Sequence, residues 1–233
     1  MRVLGIDTSS RRGTVALLDA GHPVVVLAHE KPSAHAEQML PLVGRALAES
    51  GWARGDIDRI GVGVGPGSFT GVRVGIALAQ GLALGLAVPI VGVTSLAAMA
   101  AAVPREIPGT RLALLDARRD ELFVARFDAK GAVLSAPRTV PRDAFLSRLP
   151  ASEPVVHVGE ICAELGIRDV HRSAEADLPH ATCVGMLAAL GRPSAAPVEP
   201  LYVREADAVK PQEAPDALVR SLEEAHDPSK LSP

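Results

Sequence analysis

The sequence predicts an α/β fold built twice on one plan, as two β-β-β-α-β-α units of which the second is reduced. Three observations predict it. Short apolar runs joined by turn residues come in groups of three, once at the start of the chain and once in its middle. Each group is followed by a segment of helical period and then by one more short apolar run. Between the two groups lies PREIPGT, residues 104–110, whose two prolines and glycine punctuate the chain as a domain boundary does.

The elements follow in order. Val3 to Ile6 is a strand ending on Asp7-Thr8-Ser9-Ser10. Arg11-Arg12-Gly13 turns it into a second strand, Thr14 to Asp19, and Ala20-Gly21-His22-Pro23 into a third, Val24 to His29. Ser33 is placed to cap a helix from Ala34 to Ser50, with Glu37 early and Gly51 just past the end. Ala36, Met39, Leu40, Val43 and Leu47 form its core stripe, and Leu42 and Ala46 widen the apolar surface beyond what one sheet contact needs. A glycine-spaced strand, Ile60 to Val64, then runs through Gly65-Pro66-Gly67 into a helix ending at Leu86. That helix is apolar nearly all round, with Arg73 and Gln80 as its long polar side chains, so burial on more than one side is expected. Ile90 to Val93 is the next strand. Two crossovers returning parallel strands beside an antiparallel meander give the ribonuclease H-like or actin-like unit.

The pattern restarts with strands at Arg111 to Asp116, Glu121 to Asp128 and Ala132 to Val140. Pro141 to Leu149 is a helix candidate, Pro154 to Val158 a strand, Ile161 to Gly166 a helical stub, and His180 to Leu190 a helix. The expected organisation is an actin-like unit over residues 1–103 that carries the dimerisation surface, a reduced second unit over 104–207, and a polar tail over 208–233. In the tail, Pro215 to His226 could form an amphipathic helix from Leu218, Val219 and Leu222; a solvated segment is the alternative.

Composition excludes several functions. The chain has 233 residues, 48% apolar, with 24 basic and 27 acidic side chains. The near-neutral balance and the lack of any Lys/Arg block argue against primary nucleic-acid binding. Aromatics at 3% leave few stacking platforms for single strands. Cys162 and Cys183 fit no metal or disulfide spacing and read as reduced core thiols. The seven histidines contain no HxH, HxxH or HxxxH pair. The N-terminus enters a strand at once with no leader pattern, and the apolar helix is marginal as a membrane span, so a cytoplasmic protein is expected.

Three segments are candidates for chemistry. Asp7, Thr8, Ser9 and Ser10 end the first strand as a phosphate-contacting hairpin would, with small groups that let backbone N–H reach oxyanions; an ordinary Asx or ST turn is the alternative. Gly65-Pro66-Gly67-Ser68 opens a helix as an anion loop does, but no lysine follows, and a tight turn capped by Ser68 or Thr70 is favoured. Asp116-Ala117-Arg118-Arg119-Asp120 holds the matching place in the second unit. There Arg118 could face the same cleft, or the turn could be a plain charged hairpin.

With these segments assembled, the sequence resembles the TsaB family of bacterial tRNA threonylcarbamoyladenosine biosynthesis subunits. LGIDTSS at Leu4 to Ser10, SAHAEQMLPLV at Ser33 to Val43, GVGVGPGSFTGVRVG at Gly61 to Gly75, PIVGVTSL at Pro89 to Leu96, DARRDELFVARF at Asp116 to Phe127 and PLYVRE at Pro200 to Glu205 carry the likeness. The resemblance implies a noncatalytic paralogue of the catalytic subunit TsaD, with Ser95 and Met99 standing where TsaD has its metal-binding histidines. It implies a scaffold that binds TsaD as a heterodimer through helices 34–50 and 69–86, with the ATPase TsaE docking on the pair. A homodimer is implied in isolation, and tRNA is met only through the complex. On that reading Met39, Leu42, Val43, Ala46, Val72, Ile76, Leu78, Ala79 and Leu82 form the partner interface. No catalytic residue, metal or obligate cofactor is expected, with weak ATP or ADP binding through Asp7, Thr8, Ser9, Ser10 and Arg118 as an open vestige. A stand-alone actin-like ATPase or small-molecule kinase is the alternative from another class, and a metal-dependent peptidase a third.

Overall fold

β1 (Arg2–Asp7) is buried at every residue after Arg2, the pattern of a strand covered on both faces. In the computed structural model, which describes residues 1–147 and 154–203, it pairs antiparallel with β2 (Gly13–Asp19) and parallel with β4 (Arg59–Gly63). β3 (His22–His29) and β5 (Ile90–Val93) complete a sheet of order β3-β2-β1-β4-β5. The second sheet repeats this without its fifth strand. β6 (Thr110–Arg118), β7 (Glu121–Phe127), β8 (Val133–Pro141) and β9 (Val155–Val158) lie in the order β8-β7-β6-β9, antiparallel except for the β6/β9 pair. The duplicated actin-like plan is therefore present, with the second copy reduced.

α1 (His35–Ser50) and α2 (Phe69–Leu86) cover one face of the first sheet. A 3-10 turn, Pro32–Ala34, precedes α1, so its N-cap is Ala34 without a side-chain bond and not Ser33. Gly51 ends α1 in the left-handed conformation at φ 70, as the sequence required. Ser68 caps α2, its Oγ accepting from Gly71 N. Only the inner side of α2 is buried, through Val72, Ile76, Ala79 and Ala83. Among the described residues no further layer lies over its outer side, which is exposed at Arg73, Ala77, Gly81, Leu84 and Gly85. By length and composition α2 could cross a membrane, but that inner side is packed on the sheet.

Between the two sheets lie α3 (Ser95–Ala101), α6 (Ala174–Asp177) and α7 (Ala181–Leu190), while α4 (Arg142–Leu146) and α5 (Ile161–Glu164) cover the far face of the second sheet. The sequence reading assigned no helix to α3. It also grouped α7 with the second unit, and here the structure corrects it: α7 packs on β1, β2 and β4 of the first sheet. Ala181 N donates to Thr14 Oγ1 at 2.9 Å, and Arg59 Nη1 reaches Ala188 O and Gly191 O, each at 2.8 Å, at the other end. The guanidinium satisfies carbonyls that the helix end leaves open. A Cβ on Gly5 would overlap Ala181 O and one on Gly61 would overlap Ala188 Cβ, so those two strand glycines are what lets α7 lie flat on the sheet.

The segment joining the units is held from inside. Arg111 is 2% exposed, and its guanidinium donates to Gly109 O, to Pro104 O at 2.9 Å and to Ile107 O at 2.6 Å. A buried cation is tolerated only with such partners. The tail helix proposed at Pro215 to His226 lies outside the described residues.

Candidate functional site

The first hairpin turn lies where β1 ends against the start of α2. Asp7, Thr8 and Ser9 are buried there, and Asp7 is the only buried carboxylate among the described residues. Its Oδ1 accepts from Ser9 N and from Ser9 Oγ, both at 2.9 Å, and Ser95 Oγ donates to Ser9 Oγ at 2.9 Å. Oδ2 is buried with no hydrogen-bond partner. Burial pushes the Asp7 carboxyl up to about 6, against the pull of the Ser9 bonds and the Arg12 guanidinium. Thr8 Oγ1 donates to Gly71 O at 2.7 Å, and Ser68 N donates to Ser9 O at 2.7 Å.

These contacts explain the glycine run. A Cβ on Gly63 would overlap Asp7 Oδ2, on Gly67 Ser9 O, on Gly71 Thr8 O, and on Gly75 Thr8 Oγ1. Every glycine in that ladder makes room for the turn, so the motif seats one backbone against another, and the hydroxyls offered as phosphate contacts are spent inside the protein. Arg118, the remaining member of that set, lies away from the first hairpin turn in its own hairpin. Arg118 is exposed, in a left-handed turn at φ 64, and its Nη1 lies 3.7 Å from Asp116 of its own hairpin. The cations that cross between the units come instead from the first hairpin. Arg11 pairs with Glu160 at 2.7 Å, and Arg12 donates to Ala174 O and, at 3.4 Å, to Leu178 O. Ser10, half-buried, uses its hydroxyl on Arg12 of its own turn.

Two histidines that no spacing rule singled out meet beside this turn. Lys31 N donates to His29 Nδ1 at 3.3 Å, so the His29 proton sits on Nε2 and faces His35 Nδ1 at 3.2 Å; His35 Nε2 then donates to Ser10 O at 3.0 Å. Burial draws the His29 pKa down. The pair spans the β3 to α1 connection, so it carries no signature of local period. His180, the N-cap of α7, accepts from Thr182 N through Nδ1, and burial followed by the Arg12 charge holds its pKa down at about 4. Cys162 and Cys183 are free and buried, their thiols pushed up to about 12 by that burial. Ser95 and Met99 are fully buried. A cavity of about 420 Å³ under β8 and α4 holds none of the predicted site residues.

The nine interface residues divide. Met39, Leu42, Val43, Ala46, Val72, Ile76 and Ala79 are each at most 5% exposed and belong to the core beneath α1 and α2. They add almost no area to an interface, because the 3.6 period turns them toward the sheet. Leu78 and Leu82 are partly exposed. The outward surface is made by residues the prediction passed over: Leu40, Gly44, Gly81, Leu84 and Gly85, with Leu47 and Leu86 half-buried. Between the helices runs a groove of about 430 Å³ lined by Leu40, Gly44, Leu47, Leu82 and Leu86 and by Gly81 and Gly85, with Leu4, Val43 and Ile57 below and Arg54 as its one charged lining residue. Nothing lies within 4 Å of where a Cβ would stand on Gly44, Gly81 or Gly85. Those glycines are not demanded by packing among the described residues.

A family model described as TsaD, tRNA N6-adenosine threonylcarbamoyltransferase, matches residues 26–147. The tRNA threonylcarbamoyladenosine biosynthesis protein TsaB of Escherichia coli is 45% identical over 130 residues, 54% of this chain and 55% of its own length. An uncharacterized Mycobacterium tuberculosis protein is 33% identical over 214 residues, 88% of this chain and 93% of its own. A crystal structure from Pseudomonas aeruginosa, described as an uncharacterized protein with similarity to peptidase YeaZ, superposes with TM-score 0.74 at 30% identity, covering 87% of this chain and 99% of that one. The chain belongs to the TsaB family. Its match spans about half the length of the E. coli TsaB protein. An activator of 2-hydroxyisocaproyl-CoA dehydratase from Clostridium difficile, at TM-score 0.53 and 14% identity, shares the fold. In this TsaB-family chain the matched stretch contains α1, the groove, α2, the glycine ladder and α3.

Proposed function

We propose that this chain is the noncatalytic partner subunit of a tRNA threonylcarbamoylation complex, binding and supporting a TsaD-type catalytic subunit through the outer face of α1 and α2. The observation that carries the reading is the groove between those helices. It is about 430 Å³, apolar apart from Arg54 at its lining, and bordered by three glycines whose missing side chains serve no contact among the described residues. Glycines facing outward from a helix let a second helix approach closely, and they cost about 1 kcal/mol each against Ala in helix stability, so a partner is the economical reason for them. Two further observations support the reading. The hydroxyls of Thr8 and Ser9 are committed internally, and Ser95 and Met99 are packed in the core. TsaE docking on the pair, a homodimer through the same groove when TsaD is absent, a cytoplasmic setting and tRNA contact only through the complex belong to this proposal.

The test is reconstitution of the tRNA modification from purified components with this chain, without it, and with Leu82→Glu. Leu82 lines the groove and is partly exposed, so the variant is expected to fold, to lose association and to lose support of the modification. Full modification without the chain, or with folded Leu82→Glu, would overturn the proposal.

A further inference from the structure

The outer face of α2 is not uniform along its length. Phe69, Arg73, Ala77, Gly81 and Gly85 succeed one another every four residues and are all exposed, so they form one ridge. The ridge is small at the C-terminal end, where it borders the groove, and large at the N-terminal end. At that large end the Arg73 guanidinium lies 3.4 Å from the centroid of the Phe69 ring and 5.4 Å from that of Tyr202. The two rings are 5.8 Å apart and tilted by 36°. Phe69 is 51% exposed and Tyr202 49%, in a chain with four Phe and one Tyr. Tyr202 is held in place by its own segment, since Leu201 N donates to Val64 O at 2.8 Å and Gln80 donates to Val198 O at 2.8 Å. Two stretches far apart in sequence, SFTGVR and PLYV, thus build one preorganised cluster.

Arg73 is the only ionisable residue of α2. Among the described residues no carboxylate pairs with it. Stacking on a ring occupies the face of a guanidinium and leaves its edge, with the N–H fork, pointing outward. That edge matches a carboxylate in two-point fashion.

We infer that the Phe69–Arg73–Tyr202 cluster is a clamp for an acidic side chain of the partner subunit, and that it sets partner identity for the α1/α2 surface. This rests on the partner-subunit reading above. Arg73 lies eight to twelve residues from Gly81 and Gly85, about 12–18 Å along the helix axis. The matching carboxylate therefore lies two to three turns from the partner residues that enter the glycine groove. The groove supplies close packing for any helix with a suitable face. The clamp adds the charge that selects among them, because an unpaired guanidinium penalises a partner that offers it an apolar or basic surface.

The experiment measures binding of the full chain to its cognate TsaD by calorimetry at 50 and 500 mM NaCl, for the native chain, Arg73→Ala, Arg73→Lys and Leu82→Glu. Arg73→Ala is expected to bind about tenfold more weakly at low salt, with the loss shrinking at high salt. Arg73→Lys is expected to recover part of it, since an ammonium keeps the charge and loses the fork. The melting temperature of the free variants should stay that of the native chain. Arg73→Ala binding within twofold at low salt, while Leu82→Glu abolishes binding, overturns the clamp and leaves the partner reading intact. Native binding by both variants overturns the partner surface itself. Tighter binding by Arg73→Ala would mean that the clamp holds an acidic stretch of this chain's own residues 204–233, and the inference falls. Retention of tRNA by the isolated native chain but not by Arg73→Ala assigns the cluster to phosphate and also overturns it.

Discussion

Replacing Asp7 by Asn isolates the one buried carboxylate among the described residues without changing its shape. Oδ1 keeps its two Ser9 donors, and the amide nitrogen takes the place of an Oδ2 that has no partner. The folded chain holds the Asp7 proton up to about pH 6, whereas the unfolded chain releases it near 3.8. Between those values the folded state binds more protons, so stability falls as pH rises, by about 3 kcal/mol over the window, and stays reduced above it. His180 acts in the opposite direction. Its folded pKa is depressed from 6.5 to about 4, so its contribution is present above 6.5 and is lost as pH falls toward 4, again by about 3 kcal/mol. His29, also lowered, adds to the same side. In the native chain the Asp7 and His180 slopes offset one another from pH 4 to 6.5, which leaves the His29 slope. In Asp7→Asn only the histidine slope remains, so the variant gains about 3 kcal/mol relative to the native chain between pH 4 and 6.5. At pH 7.5 the variant should equal or exceed native stability, the relieved charge being offset in part by about 1–3 kcal/mol for an unpaired amide donor. Urea denaturation at half-unit pH steps checks this. A difference between the two proteins that does not change with pH would refute the account of Asp7 as a charge held at cost.

Four further outcomes are expected. Gly71→Ala drives a Cβ into Thr8 O and should destabilise by roughly 2–4 kcal/mol in chemical denaturation; Gly81→Ala meets nothing within 4 Å, should raise helix stability by up to about 1 kcal/mol, and should weaken TsaD binding in the same calorimetric assay. Met39→Ala, at a fully buried position, should cost about 2–5 kcal/mol, whereas Leu40→Ala, one residue on and 55% exposed, should stay within about 0.5 kcal/mol. Arg111→Met leaves three carbonyls of the joining segment without their donor and should lower the urea midpoint by an amount equivalent to about 3 kcal/mol. His180→Gln leaves the Asp7 slope unopposed by His180, so the variant should gain about 3 kcal/mol relative to the native chain as pH falls from 6.5 to 4, read from thermal melts of both proteins across that range.

The meander, both crossovers and their duplication are legible in the sequence, since turn residues and apolar period are local properties. Ser68 as cap and Gly51 as helix stop are legible for the same reason. The sequence also displays the glycines at 63, 67, 71 and 75 as a conspicuous run. What it cannot display is their counterpart, the turn at Asp7 to Ser9, because close approach between segments some sixty residues apart leaves no mark in either segment alone. The period of a helix likewise states which residues share a face but not which face meets the sheet when apolar residues surround it. The period of α1 places Met39, Leu40 and Val43 in one core stripe, and the structure buries Met39 and Val43 but leaves Leu40 exposed; on α2, apolar nearly all round, the period does not choose between the buried Val72 and Ala79 and the exposed Gly81 and Gly85.

Sequence by itself determined the fold class, the family likeness and the presence of a helix too apolar for one sheet contact. Only the tertiary structure decided the direction of that helix, the return of α7 to the first sheet, the burial of the phosphate-like hydroxyls, and the meeting of Phe69 and Arg73 with Tyr202. The physical reason is common to all four. Each depends on which surfaces exclude water from one another, and that is fixed by the packing of distant segments and not by the pattern within any one of them.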